Sequence, residues 1–170
     1  MSRSESVGLL TDSPADVLRC IFERRLSSLV KFEYCYLELS GLQGKKADDW
    51  GELRDLCKAT REAPIPPDMF EEQLKVGVAR EEAAEGTGIK FTSGKDLTDV
   101  VIPQYEAGFL RLMGEASELS YGSLGWGDEE MVQLAASVAY AHTRGALPSL
   151  TRLVLYENKI GDEGMKAFAA

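Results

Sequence analysis

The sequence contains an internal repeat close to its end, and this feature constrains the fold more than any other. WGDEEMVQLAA (126–136) aligns with IGDEGMKAFAA (160–170), with glycine, aspartate, glutamate, methionine and two alanines in register. At the same offset, which we call the repeat step, Leu119 aligns with Leu153 and Tyr121 with Leu155. Self-similarity at a fixed step is typical of proteins built from stacked units, each of which buries its apolar side against the next.

Each copy of the repeat is predicted to be a short strand followed by a helix. Gly127 and Gly161 allow a tight turn before the helix, and Asp128 and Asp162 stand where a helix cap is expected. The first helix has one apolar face, made of Met131, Leu134, Ala135, Val138 and Ala141. In the second copy, Asn158 is placed to bond backbone groups where the chain leaves the strand.

The second copy resembles the ribonuclease-inhibitor-like class of leucine-rich repeat proteins. Its residues match the consensus of that class at Leu150, Leu153, Leu155, Asn158, Ile160, Gly161, Asp162, Gly164, Ala167 and Phe168. The first copy departs from the consensus, with Leu124 in place of asparagine, Trp126 in place of isoleucine and Glu130 in place of glycine. The two copies together are also similar to short leucine-rich-repeat proteins of unicellular algae. The resemblance is confined to 116–170 and implies a small parallel sheet whose concave face binds proteins.

The predicted fold class is α/β, with a helix-rich N-terminal part followed by a short leucine-rich-repeat array. Residues 1–12 are expected to be flexible, and 13–115 to form a helix-rich or capping region with one strand near 34–39. Residues 116–170 are the repeats, at about 118–145 and 147–170. The run APIPPD (63–68) has three closely spaced prolines and must interrupt any helix.

Alternate residues of the two strands are predicted to face outward and to form the binding surface. These positions are Arg152, Val154, Tyr156 and Glu157 in the second unit and Glu118, Ser120 and Gly122 in the first. If CYLELSG (35–41) joins the same sheet, Glu38 and Ser40 lie beside them. A tyrosine next to an arginine suits an interface anchor. The alternative for any single position is an ordinary solvated strand residue.

The charge and cysteine content limit the partners and the compartment. A net charge of −9 disfavours binding to a nucleic-acid backbone. No apolar run is long enough for a membrane span, and the N-terminus lacks the pattern of a secretory signal. The three cysteines, at 20, 35 and 57, are widely spaced without a C-x-x-C pair, so reduced thiols are expected. We therefore predict the cytoplasm or another reducing compartment, with a mature organellar chain as the alternative.

No catalytic or cofactor motif is present in the sequence. GIKFTSGKD (88–96) has the wrong spacing between its glycines for a phosphate-binding loop, and Asp96 follows Lys95 where such a loop needs serine or threonine. His142 is the single histidine and stands near the predicted end of a helix. We therefore expect that the chain is not an enzyme and that it binds neither a cofactor nor a metal ion.

The predicted function is protein–protein interaction, through the concave sheet or through the apolar side of the second repeat. MKAFAA (165–170) is not polar, so either the natural chain continues or another chain covers it, in a homo-oligomer or a larger assembly. Two alternatives remain: a structural subunit of a large stable assembly, and a small enzyme with a site in 60–115, for which a pocket gathering Lys90, Lys95, Tyr105 and a carboxylate would be required.

Overall fold

A computed structural model of the chain describes residues 14–30, 37–57, 61–82 and 97–169. Within these ranges the side chains of 14–20, 40, 77–82 and 97 are not described. The predicted flexible segment 1–12, the first half of the strand expected near 34–39, and Cys35, Lys90 and Lys95 lie outside the described residues.

The described residues form a mostly helical structure with one small parallel sheet. In chain order the elements are α1 (Pro14–Val30), α2 (Trp50–Leu56), α3 (Pro67–Glu82), α4 (Ile102–Glu115), β1 (Glu118–Ser120), α5 (Asp128–Thr143), β2 (Arg152–Val154) and α6 (Asp162–Ala169). A 3-10 turn spans Leu39–Leu42, and a π-helical turn at Leu97–Val101 leads into α4. The predicted mixed α/β class is confirmed at this level.

The described half of the segment that is predicted to add a strand near 34–39 contains one β-bridge residue, Leu37, and then enters a 3-10 turn. Leu39–Leu42 is a 3-10 turn, and the Glu38 N–H donates to the Cys57 carbonyl (2.7 Å) at the end of α2. A side chain at Gly41 would bring its Cβ within 2.1 Å of the Leu56 carbonyl oxygen, so glycine permits this close approach. Glu38 belongs to neither strand of the described two-stranded sheet, so the condition under which it would lie beside the other binding residues is not met among the described residues.

The proline-rich segment that interrupts the helices is part of the core. Residues 61–66 are buried except for Glu62 and contain neither helix nor strand. Three buried side chains donate hydrogen bonds to its carbonyls: Trp126 Nε1 to Arg61 (2.7 Å), Ser137 Oγ to Pro64 (2.8 Å) and Tyr105 OH to Ile65 (2.9 Å). Proline has no N–H that needs a partner, so a proline-rich segment can be buried with few backbone groups to satisfy beyond its carbonyls.

The helix-rich part and the sheet share one hydrophobic core. Tyr105 of α4 stacks on Phe70 of α3, with ring centroids 3.9 Å apart, and meets Phe22 of α1 edge-on. The same buried cluster includes Tyr121 and Trp126, which stack on each other after β1. The helices before the sheet therefore pack directly against the first strand–helix unit.

The repeat step of the sequence is also the step between the two strand–helix units in space. β1 and β2 are parallel, with Glu118 opposite Arg152, Leu119 opposite Leu153 and Ser120 opposite Val154. Helices α5 and α6 begin one repeat step apart, at equivalent aspartates. Ser123 and Glu157, which are equivalent positions of the two units, share the same unusual backbone angle, φ of 54°.

Candidate protein-interaction face

The exposed side of the two-stranded sheet gathers most of the predicted binding residues. We call the sheet face the surface formed by Glu118 and Arg152 of the two strands together with Gly122, Ser123, Tyr156 and Glu157 of the turns that follow them. Val154, another predicted member, is only partly exposed. The sheet face is small because the sheet has two strands and each strand is only three residues long.

Tyr156 lies over Gly122 and is the large exposed side chain of the sheet face. It is 52% exposed although its ring packs closely against the backbone of the neighbouring unit, where it buries the glycine. A Cβ at Gly122 would lie 2.5 Å from Cε1 of Tyr156, so only glycine leaves room for the ring. Gly122 thus holds a half-exposed aromatic ring in a defined position, as an interface anchor requires.

Two polar pairs flank this ring, one on each side along the strands. Arg152 Nη1 lies 3.3 Å from Glu118 Oε2, across the strand pair. Ser123 Oγ donates to Glu157 Oε2 at 2.6 Å, between the two loops that follow the strands. An exposed ion pair such as Arg152–Glu118 contributes at most about 1 kcal/mol to stability. The effect of the two pairs is to orient charged groups around Tyr156 rather than to hold the fold together.

Ser120 does not belong to the exposed binding surface for which the sequence predicts it. It is predicted to face outward, but it is only 8% exposed. Its carbonyl accepts a hydrogen bond from Arg61 Nη1 (2.8 Å), and α1 is in contact with β1. Because the strand is short and lies next to the helical part, strand alternation alone does not determine which positions reach solvent.

Asn158 joins the loops of the two units, as its position in the sequence predicts. Its side-chain oxygen accepts from the N–H groups of Leu124 and Trp126, both at 3.1 Å. Its side-chain nitrogen donates to the carbonyls of Tyr121 (2.7 Å) and Leu155 (3.0 Å). One amide therefore satisfies four backbone groups and fixes the loops that follow both strands.

Asp128 acts on the neighbouring unit and does not cap its own helix. The cap position of α5 is Gly127, whose N–H donates to the Glu130 side chain at 2.8 Å. Asp128 Oδ1 instead accepts from the N–H groups of Gly161 (2.6 Å) and Gly164 (3.1 Å) at the start of α6. A carboxylate is favourable at this position because the N-terminus of a helix carries partial positive charge.

A buried arginine that the sequence does not single out joins the first strand to the end of α1. Arg61 is 4% exposed, its Nε donates to the Ser28 carbonyl (2.7 Å), and its guanidinium lies over the Tyr121 ring. The Tyr121 hydroxyl donates to the Leu29 carbonyl (2.7 Å), and burial raises the pKa of this tyrosine. Two side chains therefore satisfy carbonyls at the end of α1 and tie that helix to the first unit.

A second polar cluster joins α4 to the end of α5. Glu106 accepts from the Tyr140 hydroxyl (2.6 Å) and pairs with Arg144, whose guanidinium lies over the Tyr140 ring. The hydrogen bond from Tyr140, followed by the contact with Arg144, lowers the pKa of Glu106. Desolvation, followed by the bond to Glu106, raises the pKa of Tyr140 to about 12.

Of the residues named for the alternative enzyme site, only Tyr105 lies in the described part of the chain. Tyr105 is fully buried, and its hydroxyl donates to the Ile65 carbonyl. Lys90 and Lys95 lie outside the described residues. Among the side chains that are described, no group of three or more histidine, cysteine, aspartate or glutamate residues is placed to hold a metal ion.

Comparison of the chain with protein-family models, with curated proteins and with solved structures finds no match. Within 14–30, 37–57, 61–82 and 97–169, no helix has the length and apolar character needed to cross a membrane.

Proposed function

We propose that this chain is a non-catalytic protein-interaction module that binds a partner protein through the sheet face. Its two strand–helix units correspond to a short leucine-rich-repeat array of the ribonuclease-inhibitor-like class, and its helix-rich part caps the first unit. A buried reduced thiol at Cys57 accords with the cytoplasm or another reducing compartment as its location.

The observation that carries this proposal is the half-exposed ring of Tyr156. It is held over Gly122 between the Arg152–Glu118 and Ser123–Glu157 pairs. Tyrosine and arginine dominate the binding energy of protein interfaces, and polar groups around such an anchor exclude water from it. The resemblance to leucine-rich repeats adds independent support, because Asn158 forms the loop bonds that its consensus position suggests.

The proposal is tested by quantitative capture with matched variants. The purified chain is immobilised on a support and incubated with an extract of its source. Each retained protein is identified and purified, and the dissociation constant of its complex with the chain is measured by calorimetry. Tyr156→Ala is expected to weaken binding by about 2 kcal/mol, close to thirtyfold, as for an interface hot spot. Gly122→Ala should weaken it less, because the added methyl displaces the ring without removing it.

Trp50→Ala is the matched control, because Trp50 is an aromatic residue that is 62% exposed in α2, away from the sheet face. It should leave the dissociation constant unchanged. The proposal is wrong if Trp50→Ala weakens binding and Tyr156→Ala does not, or if all three variants bind as tightly as the wild type while folding normally by circular dichroism.

A further inference from the structure

A cavity of about 240 Å³ lies between α1, α3 and the proline-rich segment, and it shares no residue with the sheet face. Three apolar side chains line one part of it: Ile21, Phe70 and Leu74. Three charged side chains line another part: Arg24, Arg25 and Glu62. A concave site that combines apolar walls with a few convergent polar groups is the usual form of a small-molecule binding site.

The apolar part of the cavity belongs to the hydrophobic core and is therefore fixed in place. Phe70 and Leu74 are 1% and 2% exposed, and the Phe70 ring stacks on Tyr105 of α4. A wall that the core already holds needs no ordering when an apolar group enters the cavity. Preorganisation of this kind reduces the free energy that binding costs.

The charged part of the cavity carries an excess of positive charge. The Glu62 carboxylate pairs with both arginines: its Oε1 lies 3.2 Å from Arg24 Nη2, and its Oε2 lies 2.5 Å from Arg25 Nη1. Two guanidinium groups against one carboxylate leave one positive charge uncompensated in the cavity, although the chain as a whole has a net charge of −9. The cavity is therefore suited to an anion with a single charge.

The two guanidinium groups have donors beyond those that Glu62 uses. Arg25 is held in place, because its Nη2 also donates to Gln73 Oε1 (3.2 Å) and its side chain is only 17% exposed. The side chain of Arg24 is 53% exposed, so its guanidinium reaches solvent at the cavity. A guanidinium has five N–H donors in a planar fork that matches a carboxylate, so an arginine paired with Glu62 can bind a second carboxylate as well.

We infer that this cavity binds a small monocarboxylate that carries a compact apolar group, such as a phenyl ring or a branched alkyl chain. The ligand carboxylate bonds Arg24 and Arg25, and its apolar group lies against the wall that Phe70 and Leu74 form. Because an exposed ion pair is weak, the ligand can compete with Glu62 for the two arginines. The inference does not depend on the proposed function of the sheet face.

The size of the cavity decides which kind of carboxylate it takes. Cavities for drug-sized ligands have volumes of about 300–1,000 Å³, so a cavity of about 240 Å³ holds a carboxylate, one apolar group and little else. A free small acid needs no contact beyond this cavity. The end of a protein chain would need further contacts outside it, so we assign the cavity to the free acid.

The test uses phenylpropionate as the probe, titrated into the ¹⁵N-labelled full-length chain and followed by amide NMR. We expect saturable shifts at Ile21, Arg24 and Gln73, with a dissociation constant in the millimolar range, because a ligand of about ten non-hydrogen atoms makes few contacts. Arg24→Gln should weaken binding about threefold to fivefold, as expected for an exposed ion pair. Glu62→Gln should tighten binding about threefold, because it removes the carboxylate that competes with the ligand.

Two matched controls separate a specific site from general binding of anions or apolar molecules. Phenylpropionamide has the same shape as the probe without its charge, and it should cause no saturable shifts at these residues. Arg111→Gln alters an exposed arginine of α4 that pairs with Glu115, and it should leave the dissociation constant of phenylpropionate unchanged.

The inference is overturned if phenylpropionate causes no saturable shifts at the cavity, or if the amide binds as tightly as the acid. It is also overturned if Arg24→Gln binds as tightly as the wild type, or if Glu62→Gln, folded by circular dichroism, fails to tighten binding, since Glu62 and the arginines then have a structural role alone. A short peptide that ends in phenylalanine with a free carboxylate should bind no more tightly than phenylpropionate. Tighter binding of that peptide would overturn the assignment to a free acid.

Discussion

Replacing Asn158 by alanine is expected to cause a large loss of stability, because one side chain satisfies four backbone groups. The N–H groups of Leu124 and Trp126 and the carbonyls of Tyr121 and Leu155 would lose their partner together. A net hydrogen bond contributes about 1 kcal/mol, and an unsatisfied buried group costs about 1–3 kcal/mol. Asn158 is only half-buried, so water replaces some of these bonds, and we expect a loss of about 2–4 kcal/mol.

The assay is urea unfolding at neutral pH, followed by far-ultraviolet circular dichroism. Asn158→Asp keeps both acceptor bonds but loses the two donated bonds, so it should fall between wild type and Asn158→Ala. Lys159→Ala, which alters the exposed neighbour of Asn158, should stay within about 0.5 kcal/mol of wild type. If Asn158→Ala unfolds at the same urea concentration as Lys159→Ala, the four bonds do not have the stabilising role assigned to them.

Two further perturbations probe the packing and charges around the units. Gly164→Ala should destabilise the chain by about 1–3 kcal/mol, because the added methyl group overpacks against Asp128. Gly114→Ala, in an uncrowded part of α4, should be neutral or slightly stabilising. Thermal unfolding of both variants checks this prediction, and equal melting temperatures would contradict it. Because the folded-state pKa of Glu106 is lowered, its contribution is present above its unfolded pKa and lost as the pH falls through the folded value. The stability difference between wild type and Glu106→Gln should therefore be present at neutral pH and decrease as the pH falls through the lowered folded-state pKa of Glu106 in urea titrations, and a difference independent of pH would contradict this origin.

The sequence was sufficient to predict the features that depend on the repeat step. The paired strands, the two helices that follow them and the role of Asn158 all follow from residues that recur or match in register. Each strand–helix unit contains its own turn residues and its own apolar face, and the two units are in contact at equivalent positions. A pattern that recurs in register is therefore enough to predict both the units and the pairing between them.

Features that depend on contacts between distant segments could not be predicted in the same way. Ser120 is buried, Arg61 bonds its carbonyl and α1 contacts its strand, and neither Arg61 nor α1 lies near it in the sequence. Asp128 has the sequence position of a cap for its own helix, yet it binds the helix that begins one repeat step later. Arg61 carries no local pattern that distinguishes it from an ordinary surface arginine.

The crowding at glycines offers one signal that sequence reasoning could have used. Gly122 and Gly164 stand where a strand or a helix would accept a larger residue, and each leaves room for a group from the neighbouring unit. Comparing such glycines between the two copies would have indicated where Tyr156 and Asp128 make their contacts.

Site-specific photo-crosslinking is the most stringent test of whether the sheet face binds a partner protein. A photoreactive phenylalanine analogue is placed at Tyr156 in one chain and at Trp50, the more exposed aromatic residue, in another. After illumination in an extract of the source, we expect a discrete crosslinked species from position 156 and none from position 50. Crosslinks from position 50 alone, or none from position 156, would show that the partner does not bind at the sheet face.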